Sequence, residues 1–271
     1  MTGIPAYAEF LATRDGAADL PRRTLARREE FFARLGADPV RSRYRPDAQV
    51  FLRNLFRRHP EPGLDDRMLF LLATAKVNQA ERFGVGLGEL YGRVHPGNDP
   101  VEIHVTLQEI YHTRQLAEVV SIFGLDVQPV VPPLGIRLLI RTIVALPPER
   151  HLPLTGACEM VGCMTFRLLR DRGVGLFADE PAVADRIRLL YDEILADEIG
   201  HVGYIAARLD PRRRAVMRFL YRAFGTRMAG AMPELRLLVA PETIRACFDD
   251  AFRLDQLVAE LPGRAFAAAP I

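Results

Sequence analysis

The chain of 271 residues has no tryptophan, three cysteines and a single lysine, Lys76, among its 36 basic residues. Cys158, Cys163 and Cys247 are odd in number and lack a Cys-x-x-Cys spacing, which argues against a disulfide framework and a zinc knuckle. Charge of one sign is scarce as well. The 36 basic side chains face 34 acidic ones, so no strong field for nucleic acid arises. Long apolar runs are missing: the most apolar stretch, 119–148, is broken by Asp126, Gln128, Arg137, Arg141 and Pro132-Pro133, leaving no clean membrane span. The first residues show no basic region followed by an apolar one, so no secretory signal is expected. The expectation is a soluble, cytoplasmic, reduced protein with neither nucleic acid nor membrane as partner. The near-absence of lysine reads as compositional bias and carries no functional meaning at this level.

What the chain does have is apolar content of 49% with 26% charged residues, a globular composition sufficient for a large core. Helical periodicity dominates, and hairpin signals are absent. The first 63 residues suggest two or three helices, among them 23–35 and 48–58, ending at His59-Pro60-Glu61-Pro62-Gly63. Four longer helices follow. The first covers 64–91 and the second 101–123, joined by a short turn with Asp99 as N-cap and Pro100 at the first helical position. A connection over 124–151 holds a short helix at 134–146. The third helix covers 152–172, stopped by Gly173 and Gly175, and the fourth opens at Asp179-Glu180-Pro181 and reaches Leu209. Helices over 212–232 and 241–261 close the chain. Two antiparallel pairs separated by one long connection are the layout of an all-α, ferritin-like four-helix bundle with one crossover. The expected organisation is a single domain: an N-terminal helical extension (1–63), the bundle (64–209) and C-terminal helices (210–271).

Two of the four long helices carry Glu-x-x-His: Glu109–His112 and Glu198–His201. Residues three apart share a helix face, so carboxylate and imidazole can converge on one cation. With 17 glutamates and six histidines in 271 positions, fewer than one such spacing is expected by chance. Each pair interrupts an apolar stripe, Val105, Leu116 and Val119 in one case and Leu190, Ile194 and Ile205 in the other. An inward carboxylate without a compensating charge is very costly to bury, and a metal ion supplies that charge. The other two helices each present one inward carboxylate. Glu81 continues the face of Phe70, Thr74 and Val77; Glu159 continues that of Leu152, Thr155, Cys163 and Phe166. Glu81 and Glu109 lie at similar distances from the turn that joins their helices, hence level within about one turn. Glu159 and Glu198 match less well, with an offset of roughly 7 Å along the axis. Glu193 would be more level with Glu159 but has no histidine at the right spacing.

The set Glu81, Glu109, His112, Glu159, Glu198 and His201 resembles the ligand pattern of the ferritin-like di-iron carboxylate proteins: one Glu on each of two helices and Glu-x-x-His on each of the others. The resemblance covers about residues 64–209. It implies two iron ions, or a manganese–iron pair, with O₂ as co-substrate and an external electron donor. It also implies that Asp197, just before Glu198, accepts a hydrogen bond from His112. Gln108 stands in the equivalent place before Glu109 and would orient His201. The implied activity is an O₂-activating oxidase or oxygenase acting on a small organic molecule by hydroxylation, N-oxygenation or desaturation. The site is similar to those of aminobenzoate N-oxygenases, acyl-carrier desaturases, aldehyde-deformylating oxygenases and the radical-generating subunit of ribonucleotide reductase. It departs from the first of these at Ile194, where they carry an additional histidine. Two alternatives are a ferroxidase or iron-binding protein without organic substrate, and a helical interaction module with a degenerate site.

Small residues cluster beside these ligands: Gly84, Gly86 and Gly88 on the first helix, Gly156, Gly162 and Cys163 on the third. Glycine inside a helix costs about 1 kcal/mol relative to alanine, so the grouping suggests space kept open for a substrate. Tyr111, Tyr191 and Tyr204 are expected to pack in the core or at its rim. His104 and Glu102 are expected at the surface, Cys158 and Cys163 as small packing residues, and Arg212-Arg213-Arg214 as a solvated helix start. The terminal helices would shape a pocket or the face of a homodimer.

Overall fold

A computed structural model describes residues 4–15, 20–94, 100–127, 134–249, 253–261 and 265–266. Proline and aspartate punctuate the helices where the chain must turn. Asp65 accepts from the Met68 amide at 2.7 Å and so caps a helix that opens at Asp66; Pro181 occupies the first turn of another. Among the described residues there are twelve α-helices and no strand. They are α1 (Ile4–Asp15), α2 (Leu20–Ala37), α3 (Ala48–Leu55), α4 (Asp66–Val94), α5 (Pro100–Ser121), α6 (Leu134–Ala145), α7 (Pro148–Leu176), α8 (Pro181–Ala207), α9 (Pro211–Ala231), α10 (Pro233–Leu238), α11 (Pro241–Asp249) and α12 (Leu254–Glu260).

The most extensive contacts are those of α7 with α8 and of α4 with α5; α5 against α8 and α4 against α7 close a ring of four helices. The short elements cover this ring. Helix α1 lies on α8 and α2 on α5, α3 and α6 touch α4, and α9 to α12 pack against α7, α4 and α8. One contiguous cluster of buried apolar side chains runs through all these layers, from Tyr7 and Phe31 to Phe70, Ile194 and Phe248. Helix α8 is buried on nearly every side, which follows from its position between α5, α7, α1 and α12. No helix among the described residues is long and apolar enough to cross a membrane.

Several boundaries differ from the sequence reading: α7 opens at Pro148 rather than 152, α3 ends at Leu55 rather than 58, and a short helix, α10, stands between the last two expected ones. Helix α7 is not stopped by Gly173 and Gly175 but continues to Leu176. A Cβ at Gly173 would come within 2.6 Å of the Phe70 ring and 3.0 Å of Ile187. This glycine therefore admits a close approach of α4 and α8 rather than ending the helix. The added turn removes the expected mismatch across the second pair: Glu159 lies 17 residues before Leu176 and Glu198 lies 17 residues after Pro181. At the other end of the chain, the single helix expected over 241–261 is two, α11 and α12.

Candidate metal centre

Helices α4, α5, α7 and α8 each turn one short stretch toward the space they enclose. Glu81, Glu109 with His112, Glu159, and Glu198 with His201 all arrive at one level, as equal helix register across the α7–α8 pair requires. They form two overlapping groups. In one, Glu81, Glu109, His112 and Glu198 each offer a ligand atom within 4.8 Å of the others; in the second, Glu109, Glu159, Glu198 and His201 do so. Glu109 and Glu198 belong to both. The two imidazole rings are 5.8 Å apart between centroids.

The inner atoms lie close together without bonding to one another. His112 Nδ1 is 3.0 Å from Glu198 Oε1 and 3.8 Å from Glu81 Oε2. His201 Nδ1 is 3.1 Å from Glu109 Oε1 and 3.5 Å from Glu159 Oε2. Even so, Glu109 Oε1, Glu198 Oε1 and both Nδ1 atoms are buried with no hydrogen-bond partner. Four polar atoms in this condition are costly wherever water is excluded. Hard carboxylate oxygens and two imidazoles form a donor set that suits iron or manganese, and two cations shared through Glu109 and Glu198 would satisfy all four atoms. The residues present fit such a group.

The outer faces of the imidazoles are accounted for. His201 Nε2 donates to Gln108 Oε1 at 2.9 Å, and Gln108 Nε2 donates to Asp197 Oδ1 at 2.7 Å. His112 Nε2 lies 3.3 Å from Asp197 Oδ2. With a proton held on each Nε2, the Nδ1 atoms face inward and would present their lone pairs once a cation displaces any proton they carry, the tautomer a metal needs. Asp197 and Gln108 thus join both histidines into one relay, in the positions the sequence suggested.

The sequence reading missed what holds this relay from outside. Arg28 of α2 is fully buried; it donates to Glu193 Oε2 at 3.0 Å and contacts Asp197 Oδ2. Arg14 of α1 donates to Asp197 Oδ1 at 3.0 Å, and Arg27 reaches Glu193 at 3.1 Å. Glu193, the rival of Glu198 for the inward position, therefore faces the terminal helices. A helix buried all round implies that its Asp and Glu meet cations from a further layer. Which of many arginines would do so is not written in local pattern.

Electrostatics follow from this geometry. Burial works against ionised Asp197, but Arg28, Arg14 and His112 outweigh it and hold its carboxyl well below the usual range. Burial pushes Glu81 up to about 7 against the pull of His112, with Glu109 and Glu159 adding repulsion. Glu198 is raised well above its ordinary value by burial and by Glu159. Burial disfavours charged His201, yet Glu109 and Glu159 raise it to about 10. The protein without metal therefore keeps protons in the cluster, and cations of higher charge would displace them.

A cavity of about 610 Å³ opens on the centre and is lined by Glu81, Glu109, Glu159 and Glu198 together with Gly84 and Gly162. The carboxylates that face it retain some exposure, 16% for Glu81 and 18% for Glu159, against 1% or less for the histidines. Gly84 and Gly162 belong where the sequence reading put them; a Cβ at Gly162 would approach Glu198 Oε2 to 3.3 Å. Gly156 and Cys163 do not. A Cβ at Gly156 would collide with Met217 of α9 and come within 2.9 Å of Ile205, so this glycine serves tight helix packing. Cys163 is fully buried in the core, while Cys158, expected to pack, is exposed and lines the cavity. Gly86 has open space where a Cβ would stand; Gly88 and Glu102 lie outside the residues whose side chains are described. His104, expected at the surface, is fully buried, and Tyr111, Tyr191 and Tyr204 are buried as expected. Arg212 and Arg213 are exposed.

Comparisons of the chain with protein-family models, with curated proteins and with solved structures find no match.

Proposed function

We propose that this protein is an O₂-activating, non-haem di-iron oxidase or oxygenase of ferritin-like architecture, acting on a small organic substrate. The observation that carries the reading is the pair of four-residue groups sharing Glu109 and Glu198, with four inner polar atoms left unpartnered beside a cavity. One ion would be held by Glu81, Glu109, His112 and Glu198, the other by Glu109, Glu159, Glu198 and His201. Iron in this place supplies the electrons that O₂ must receive, drawn in turn from the substrate or an external donor. Four carboxylates balance two divalent ions, so the filled site is close to neutral apart from the outer network.

The remaining work belongs to the chain. Asp197 and Gln108 keep the Nε2 protons in place and the Nδ1 atoms aimed inward. Glu81, whose carboxyl is raised by burial, would give up its proton when a cation binds, and Glu81 and Glu159 are both less enclosed than Glu198. Leu154, Phe83 and Phe166 line the cavity and limit water near the centre. A cavity of this size lies within the usual range for small-molecule sites and favours an organic substrate over simple iron storage.

The test begins with metal-free protein. Anaerobic addition of Fe(II) should reach two ions per chain, and exposure to air should consume O₂ and give ferric absorption. Retention of less than one ion per chain, or loading without O₂ uptake, would overturn the reading.

A further inference from the structure

The cavity that meets the carboxylate cluster has an oppositely charged region. Arg57, Arg58 and Lys76 also line it. Lys76 stands five positions before Glu81 on α4, about 7–8 Å away along the helix axis. Its Nζ donates to the Arg57 carbonyl at 2.8 Å and contacts Glu234, whose carboxylate is fully buried. This anchors the segment after α3 at the Lys76 level. Two of the three ammonium donors are then used, leaving the third for a ligand.

The charges in this region do not cancel. Arg57 and Arg53 share Glu61, at 3.2 and 3.6 Å. Lys76 is matched by Glu234. Arg58 has no carboxylate partner among the described residues, so of the three cations that line the cavity only Arg57 and Lys76 are matched, by Glu61 and Glu234. Apolar side chains line the cavity as well, among them Val77, Phe83, Ile143, Leu154, Phe166 and Met232. The one lysine of the chain is among the residues on the cavity wall. A compact ammonium that can share three donors among a backbone carbonyl, a carboxylate and a ligand differs in kind from a planar guanidinium.

We propose that the cavity takes an amphipathic organic acid, its anionic head bound by Lys76 and Arg58 and its apolar body directed toward Glu81 and Glu159. The cationic region sets the orientation, since it attracts the acid head and leaves the apolar body toward the other end of the cavity. The apolar end is therefore presented for oxidation. This rests on the oxidase reading for its purpose, though not for its binding chemistry.

Calorimetric titration of the full-length, metal-free protein at pH 7.5 tests it with octanoate and benzoate against octanamide and benzamide. At least one acid should bind ten times or more tightly than its amide. Arg58→Gln, an exposed position, should weaken acid binding at least threefold. The double variant Lys76→Met/Glu234→Leu removes the buried pair together and so leaves no orphaned charge; it should lose ten times or more in affinity for the acid and little for the amide. Equal affinities for acid and amide, no binding of either acid, or unchanged acid affinity in Arg58→Gln would overturn the proposal. Iron uptake measured on the same preparations separates the two ideas. Acid binding without iron loading would refute the oxidase and leave the acid site standing, while two irons with no acid preference would do the reverse.

Discussion

Arg28 offers the sharpest test of how the outer layer supports the centre. Its guanidinium is fully buried and touches both Glu193 and Asp197. Arg28→Met keeps much of the volume and removes the charge. Breaking a buried pair from one side costs about 3–5 kcal/mol when the abandoned ion has no other partner. Here Asp197 keeps Arg14, Gln108 and His112, and Glu193 keeps Arg27, so the lower end, about 3 kcal/mol, is expected. At roughly 2–4 °C per kcal/mol for a domain of this order of size, the melting temperature should fall by roughly 6–12 °C. The sign with pH is fixed by Asp197. Its folded pKa is depressed, so its contribution is complete above the ordinary carboxylate range near 4 and is lost as pH falls below it. Melting of the metal-free protein at pH 7 in chelator should therefore show the full deficit. Below the folded pKa of Asp197 its share of that deficit should be gone. The relay to both histidines predicts a second effect, metal affinity about 10–100-fold weaker. A variant that melts within 2 °C of the parent at pH 7 would refute the argument that this network matters.

Three further outcomes follow from the geometry. His201→Ala, which touches one of the two ligand groups, should lower iron stoichiometry toward one per chain, and Glu109→Ala, which touches both, should lower it further; elemental analysis distinguishes them, and two irons in either variant would remove that residue from the ligand set. Gly156→Leu should destabilise by about 1–3 kcal/mol through overpacking against Met217 and Ile205 while leaving iron loading intact, read by urea midpoints and metal analysis. Glu180 is lowered because, against the penalty of burial, it accepts from the Arg43 amide at 2.6 Å and the Ser42 hydroxyl at 2.8 Å; this stabilisation is present above the unfolded carboxylate pKa and lost as pH falls through the lowered folded pKa, so Glu180→Gln should lower the urea midpoint at pH 7 and the difference from the parent should shrink as pH falls through that range.

Most of what local pattern can carry was readable. Glu109–His112 and Glu198–His201 stand out because ligand spacing and helix period coincide on one apolar stripe. Counting residues from turns placed Glu81 beside Glu109. The same counting left Glu159 and Glu198 out of register only because Gly173 was read as a stop. Its role, giving room to Phe70, involves a residue more than a hundred positions away. Gly156 was misread for the same reason: a glycine kept for a cavity and one kept for a neighbouring helix are identical in sequence. His104 looked polar and therefore exposed, and burial by other layers overrode that prior.

By itself the sequence determined an all-helical chain, two short-range Glu-His pairs and two further inward carboxylates, since these depend on periodicities of three to four residues within one helix. Only the tertiary structure decided that Arg14 and Arg28 lock Asp197, that Gly156 is packing rather than pocket, and that Lys76 shares a cavity with Glu81 and Glu159. Those facts are meetings between distant segments, and nothing in the neighbourhood of either partner encodes which distant side chain it will meet.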